Sequence, residues 1–222
     1  MNLQKVRAVL FDLDGTLLDT VKDIGTGANA ALCRYGCPEH AIDEYRGFVG
    51  HGIRQLFRQA VPEGIEEETF EAALQYYLQY YPEHCTEHTD FFPGIPELVR
   101  ALSGAGFRLA VISNKTEKTA LRIIQHYFPE TEFCFVWGNN GVRPLKPDTE
   151  AGKLACQTLG LSPGEILYFG DGDTDMQFAS GMGFVPVACS WGYRSPEQLR
   201  AAGAWRVVDT AEELLQLLDV SA

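Results

Sequence analysis

The chain has 222 residues, 45% of them hydrophobic and 22% charged, which suits one well-formed globular core with room for a smaller second unit. A formal net charge of −12 and the lack of any basic run exclude broad nucleic-acid binding, because phosphate backbones are held by clusters of Lys and Arg. No run of roughly 18 apolar residues is present and the N-terminus leads straight into a strand, so a cytoplasmic protein with no signal peptide and no membrane association is expected.

In chain order, "RAVLFD" reads as a buried first strand, and it ends in an anomaly: Asp12 and Asp14 close an apolar run. A carboxylate at such a place must be paired, bind a cation or shift its pKa. Residues 18 to 88 then carry only helical patterns: "DIGTGANAALCRYG", "IDEYRGFV", "IRQLFRQAV" and "EETFEAALQYYLQYYPEH". The tyrosine cluster "YYLQYY" fits a helix buried along one side. From about residue 94 helices and strands alternate. "IPELVRALSGAG", "TEKTALRIIQHYF", "TEAGKLACQTLGL", "DMQFASGMG", "SPEQLRAAG" and "AEELLQLLD" are helical, and "FRLAVIS", "FCFVWG", "EILYFGD", "FVPVACS" and "WRVVD" are strands between them.

Single helices between strands mean right-handed crossovers and a doubly wound parallel sheet, the α/β class. The expected organisation is an α/β core of residues 1–17 and 89–222, with a helical cap, residues 18–88, inserted after the first strand. The six scattered cysteines are expected to be small buried or half-buried residues, and Cys85 with His84 and His88 lacks the second pair that a zinc site needs.

The polar residues of this frame converge. Asp12 and Asp14 end the first strand, Ser113 and Asn114 end "LAVIS", Lys146 lies after "FCFVWG", and Asp171, Asp173 and Asp175 follow "ILYFG". In a parallel sheet the carboxyl ends of all strands lie along one edge, where such folds bind ligands. Several close carboxylates require a hard divalent cation, most simply Mg²⁺, and with a lysine and a hydroxyl they describe phosphoryl transfer. "DGDTD" also resembles the start of a calcium loop, but Met176 and Met182 stand where Gly and Glu are needed. Asp173 is read as exposed or as a helix cap.

"FDLDGTLLDT", "VISNK", "LKP" and "YFGDGDTDM", in this order, resemble the four motifs of the haloacid dehalogenase superfamily of phosphohydrolases, over essentially the whole chain. The resemblance implies that Asp12 is the nucleophile of an aspartyl-phosphate and that Asp14 is the general acid and base. Ser113 and Asn114 would hold the transferring group, and Lys146 would neutralise it and orient Asp12. Mg²⁺ would be held by Asp12, the Asp14 carbonyl and Asp171, with Asp175 in support. Asp14 favours phosphate esters over halides, which leaves a phosphatase or a mutase of the β-phosphoglucomutase type; pyrophosphatase, nucleotidase and a non-enzymatic phospho-acceptor are further alternatives.

The cap segment "FVGHGIRQLF" looks like the cap loop of phosphoglycolate phosphatases, which implies that Gly50, His51, Gly52 and Arg54 meet substrate. His51 departs from the small or amide residue expected between those glycines. Arg54 and Arg58 are four apart and share a helix face that could meet a substrate carboxylate or stay solvated. The expected substrate is a small phosphorylated acid or sugar, 2-phosphoglycolate foremost, and the expected state is a monomer or weak homodimer. Lys146→Ala is expected to damage chemistry far more than folding.

Overall fold

The computed structural model describes residues 3–220. β1 (Ala8–Phe11) has all four side chains buried, as a strand covered on both faces must. After it come a two-residue strand, β2 (Leu18–Asp19), and the helical insertion: α1 (Val21–Arg34), α2 (Tyr45–Phe48), α3 (Ile53–Ala60) and α4 (Glu67–His84). The chain returns through β3 (Asp90–Phe91), antiparallel to β2, with Leu18 opposite Phe91 and Asp19 opposite Asp90. Residues 18–88 were expected to be purely helical. A two-residue ribbon is too short to leave a periodic signal, yet it forms the junction between the insertion and the rest of the chain.

The alternation follows as α5 (Ile95–Gly104), β4 (Arg108–Thr116), α6 (Glu117–Tyr127), β5 (Val136–Asn139) and α7 (Glu150–Leu159). It ends with β6 (Ile166–Gly170), α8 (Asp173–Met182), β7 (Val185–Cys189), α9 (Pro196–Ala201), β8 (Arg206–Val208) and α10 (Ala211–Leu217). The strands form one parallel sheet in the order β5-β4-β1-β6-β7-β8. β1 lies at its centre, with Phe11 beside Val111 on one flank and Phe169 on the other. The crevice where Asp12 emerges is therefore the switch point of the sheet.

Alternation along β1 divides the core. Val9 and Phe11 join a cluster that continues into the insertion and the helices α5 and α10, while Ala8 and Leu10 pack with Tyr168 and Phe178 on the opposite face. Cys33 and Cys134 are exposed, contrary to expectation, and all six cysteines are free. Cys134 escapes burial because β5 begins only at Val136, later than "FCFVWG" suggests. His84 pairs with Glu87 and His88 with Asp23, so they do not gather around Cys85. No helix of the described residues is long and apolar enough to cross a membrane.

A buried carboxylate ties the insertion to its second linker. Asp23, in the first turn of α1 and 2% exposed, accepts bonds from the Thr89 N–H and hydroxyl, each at 2.9 Å, and from the His88 N–H at 2.9 Å. Backbone donors offset the cost of burying the charge.

Candidate active site

Asp12 follows β1 directly, its N–H donating to the Phe169 carbonyl at 2.9 Å. The Lys146 ammonium lies 2.9 Å from Asp12 Oδ1 and 2.6 Å from Asp175 Oδ1, and donates to the Tyr168 hydroxyl at 2.8 Å. Lys146 is delivered by the loop after β5, and Asn114 holds that loop. The Asn114 Oδ1 accepts from Lys146 N–H at 2.8 Å, and its Nδ2 donates to the Lys146 carbonyl at 3.0 Å and to the Gly50 carbonyl at 2.8 Å. The Asn114 amide thus bridges two loops. Asp171 accepts from the Thr16 hydroxyl at 3.0 Å and from the Tyr193 N–H at 2.7 Å, and Asp175 accepts from the Gly172 N–H at 2.8 Å. Gly15, at φ +82°, passes so close to Asp171 that a Cβ would collide with the carboxylate.

Asp12, Ser113, Lys146, Asp171 and Asp175 are all buried, and crowding sets their charge. Burial first, then Asp175, pushes Asp12 up to about 6 despite Lys146 beside it. Burial, then Asp175 and Asp12, pushes Asp171 up to about 8. Burial alone would lower Lys146, but Asp12 and Asp175 outweigh it and raise the ammonium.

The residues fit a hard cation. Carboxylate oxygens of Asp12, Asp171 and Asp175 lie within 4.8 Å of one another. Asp12 Oδ1 is buried without a hydrogen bond, since Lys146 sits at ion-pair distance but off the bonding direction. Asp175 is committed to the Lys146 ammonium at 2.6 Å and to a backbone N–H, whereas Asp171 accepts only from a hydroxyl and a backbone N–H, with no cation paired to it among the described residues. Asp171 and Asp12, with its unbonded Oδ1, are therefore the carboxylates with charge and lone pairs to offer a cation.

A pH dependence follows. Both carboxyls sit above their unfolded value, so without metal their contribution to stability is full below about pH 4 and lost as pH rises through 6 and 8. A cation needs the ionised forms, so the rise in Tm caused by Mg²⁺ should be larger at pH 8.5 than at pH 5.5. Thermal melts with Mg²⁺ and with EDTA check this; equal rises at the two pH values would remove these carboxyls as the binding groups.

Beside this cluster a cavity opens between the sheet edge and the insertion. Asp12, Asp14, Ser113 and Asn114 line it from below, and Gly50 and Gly52 from above, so these predicted residues do come together. Asp14 lies outside the carboxylate cluster of Asp12, Asp171 and Asp175: it accepts from the Thr20 hydroxyl at 2.6 Å and from Lys115 Nζ at 2.8 Å. Lys115 was not singled out from the sequence, although it stands inside the "VISNK" motif.

Arg54 and His51, expected at substrate, lie outside the cavity, and so does Arg58. Arg54 pairs with Glu71 and, at 3.3 Å, with Glu67; Arg58 pairs with Glu67 at 2.6 Å. They share a face, as their spacing requires, but α3 buries Leu56 and Phe57 and so turns that face to the glutamates of α4. His51 is also outside the cavity, 3.5 Å from Asp173 at the outer seam.

The cap loop is held down by core donors. Arg194 donates to the Arg46 carbonyl at 2.7 Å and the Val49 carbonyl at 2.6 Å, and lies 3.5 Å from Asp173. With the Asn114 to Gly50 bond these contacts close residues 49–52 over the site. Nothing local in the sequence marks Arg194, because its partners are main-chain carbonyls about 150 residues away. Arg194→Ala should raise KM about tenfold with a smaller change in kcat, by releasing two charge-assisted bonds of the closed state; steady-state kinetics with unchanged KM would show that they do not hold the cap.

A family model for "Haloacid dehalogenase-like hydrolase" matches residues 9–188, from β1 to β7. Among curated proteins, Phosphoglycolate phosphatase 1 of Pseudomonas aeruginosa is 30% identical, over 97% of this chain and 81% of its own. N-acetylmuramic acid 6-phosphate phosphatase of the same organism is 34% identical, over 99% of this chain and 97% of its own. A solved structure from Lactobacillus delbrueckii subsp. bulgaricus, described there as a candidate phosphoglycolate phosphatase, superposes with a TM-score of 0.89 at 29% identity, covering 96% of this chain and 98% of that one. The motif order, the sheet with its switch point at Asp12 and these matches agree, and the chain belongs to the haloacid dehalogenase-like hydrolase family.

Proposed function

We propose that this protein is a Mg²⁺-dependent phosphatase that hydrolyses a small phosphate monoester through an aspartyl-phosphate on Asp12. The observation that carries this reading is the Asp12 carboxylate flanked by Lys146 and Asp171 at the mouth of a cavity that also holds Asp14 and Ser113. In the first half-reaction an Asp12 oxygen bonds to phosphorus, the bond from phosphorus to the ester oxygen breaks, and Asp14 delivers a proton to the departing alcohol. In the second, Asp14 takes a proton from water as the water oxygen bonds to phosphorus, and the Asp12 carboxylate is restored. Lys146 balances charge on the transferring group, Ser113 donates to it, and Lys115 fixes the orientation of Asp14. A bound Mg²⁺, held by Asp12, Asp171 and the Asp14 carbonyl, would supply charge neutralisation at the phosphoryl oxygens.

The cap loop seated on Asn114 and Arg194 excludes bulk water from the phosphoenzyme. The relatives' names cover a two-carbon acid and a sugar acid, which supports a small phosphorylated acid or sugar as substrate; 2-phosphoglycolate, expected from the sequence, is one of these. Phosphate release from 2-phosphoglycolate, hexose phosphates, nucleotides, pyridoxal phosphate and pyrophosphate, with and without Mg²⁺, tests the reading. Mg²⁺-dependent release from at least one ester is expected. Silence across the panel from folded, Mg²⁺-supplemented protein would overturn it.

A further inference from the structure

The cap contributes an uncharged wall to the cavity: Ile24 from α1, Val49 from the loop, Ile53 and Leu56 from α3, and Tyr77 and Tyr81 from α4. Tyr77 and Tyr81, one turn apart, stack with centroids 5.0 Å apart and planes 9° from parallel. Gly27 of α1 lies against this stack, where a Cβ would sit 3.2 Å from the Tyr77 ring and 3.4 Å from that of Tyr81. Tyr81 is 3% exposed, and its hydroxyl is buried with no hydrogen-bond partner among the described residues. A buried hydroxyl left unpaired is costly and uncommon, and because the Tyr81 side chain lines the cavity, a small turn of that side chain or opening of the cap would bring the hydroxyl to a ligand as its partner.

Arg46, Arg54 and Arg58 of the cap are committed elsewhere. Arg54 and Arg58 face the glutamates of α4, and Arg46 pairs with Asp19 and Asp43. Among the described residues the one cationic side chain lining the cavity is Lys115, whose ammonium is 2.8 Å from Asp14. Unless it reached the N-terminus of α3, a carboxylate on the alcohol would take Lys115 from Asp14 or lie unpaired against apolar walls, and either is unfavourable. A ring with hydroxyl groups meets neither cost: its C–H face covers the apolar wall and a hydroxyl pairs with Tyr81.

Resting on the phosphatase reading, we propose that the cavity selects phosphate monoesters of uncharged, ring-bearing alcohols, and that Tyr81 is a specificity-determining residue whose hydroxyl bonds the alcohol. 2-Phosphoglycolate is then a poor substrate. The competing receiver for its carboxylate is the N-terminus of α3, which opens beside Gly52 and Ile53 without a side-chain cap.

The test compares kcat/KM for glucose 6-phosphate, phenyl phosphate and 2-phosphoglycolate in Mg²⁺, for the wild type, Tyr81→Phe and Ile53→Lys. In the wild type both ring esters should exceed 2-phosphoglycolate by about tenfold or more. Tyr81→Phe should lower the ratio of glucose 6-phosphate to phenyl phosphate about fivefold to tenfold, mainly through KM, because phenol has no hydroxyl left to pair once it is esterified. Ile53→Lys, at a half-buried position, should shift preference toward 2-phosphoglycolate by adding a cation to the wall. A wild type that prefers 2-phosphoglycolate overturns the inference and leaves the phosphatase standing. Equal losses on all three esters in Tyr81→Phe, or no loss on any, overturn the role of Tyr81. Should Tyr81→Phe fail to fold, the wild-type order and Ile53→Lys decide. No release from any of the three in the wild type removes the phosphatase reading for these esters, and this inference with it.

Discussion

Asp12→Asn is expected to reduce phosphate release by at least about 10⁴-fold while leaving the protein folded, since an amide oxygen is no nucleophile and a family of acting groups fails as a unit. The substitution changes shape very little. It also takes one negative charge out of a cluster in which burial and Asp175 already push the Asp12 carboxyl up to about 6. The metal-free variant should therefore melt no lower than the wild type at pH 8, where the wild-type carboxylate is ionised and its contribution to stability is lost. The same substitution removes an oxygen anion from the cation site, so Mg²⁺ should raise its Tm less than it raises that of the wild type. Phosphate release and melts on the same preparation check all three; turnover within tenfold of the wild type would remove Asp12 as nucleophile.

Lys146→Ala is expected to cost both activity and stability, which departs from the sequence-based expectation that chemistry suffers far more than folding. Lys146 is 5% exposed, and its ammonium lies between Asp12 and Asp175, itself 1% exposed. Removing one partner of a buried ion pair strands the other and costs about 3–5 kcal/mol, on the order of a 10 °C fall in Tm for a chain of this size. Protonation of the stranded carboxyls relieves part of that cost, so the fall should be larger at pH 8 than at pH 6. Activity should fall at least about 10²-fold, as for loss of a group that stabilises transition-state charge. Calorimetry at the two pH values, beside phosphate release, separates the two effects. An unchanged melt at pH 8 would show that Lys146 is not the counter-charge of this cluster.

The legible part of this protein is the part written in short-range pattern. The apolar run "AVLF", the alternation after residue 94 and the helical spacings before it hold as β1, the parallel sheet and the helices α1 to α4, because each depends on which face of one segment must be buried. The candidate site was legible for a related reason. Asp12, Ser113 and Asp171 each stand just beyond a strand, and a parallel sheet brings such positions to one edge whatever the loops do. The β2 and β3 ribbon, two residues per strand, and the late start of β5 were not legible, since neither carries a period.

The sequence by itself determined the order of the elements, the class of the sheet and the meeting of Asp12, Ser113, Lys146 and Asp171 at its edge. Only the tertiary structure decided what faces the cavity from above. That Arg54 turns to Glu71 while Tyr81 reaches the cavity depends on how α3 and α4 rotate against each other, and that Arg194 grips the cap loop depends on main-chain carbonyls far away in the chain. Helical spacing says which side chains share a face, but the direction of that face is set by packing between segments, where burial of Leu56 and Phe57 outweighs the solvation of a few charges.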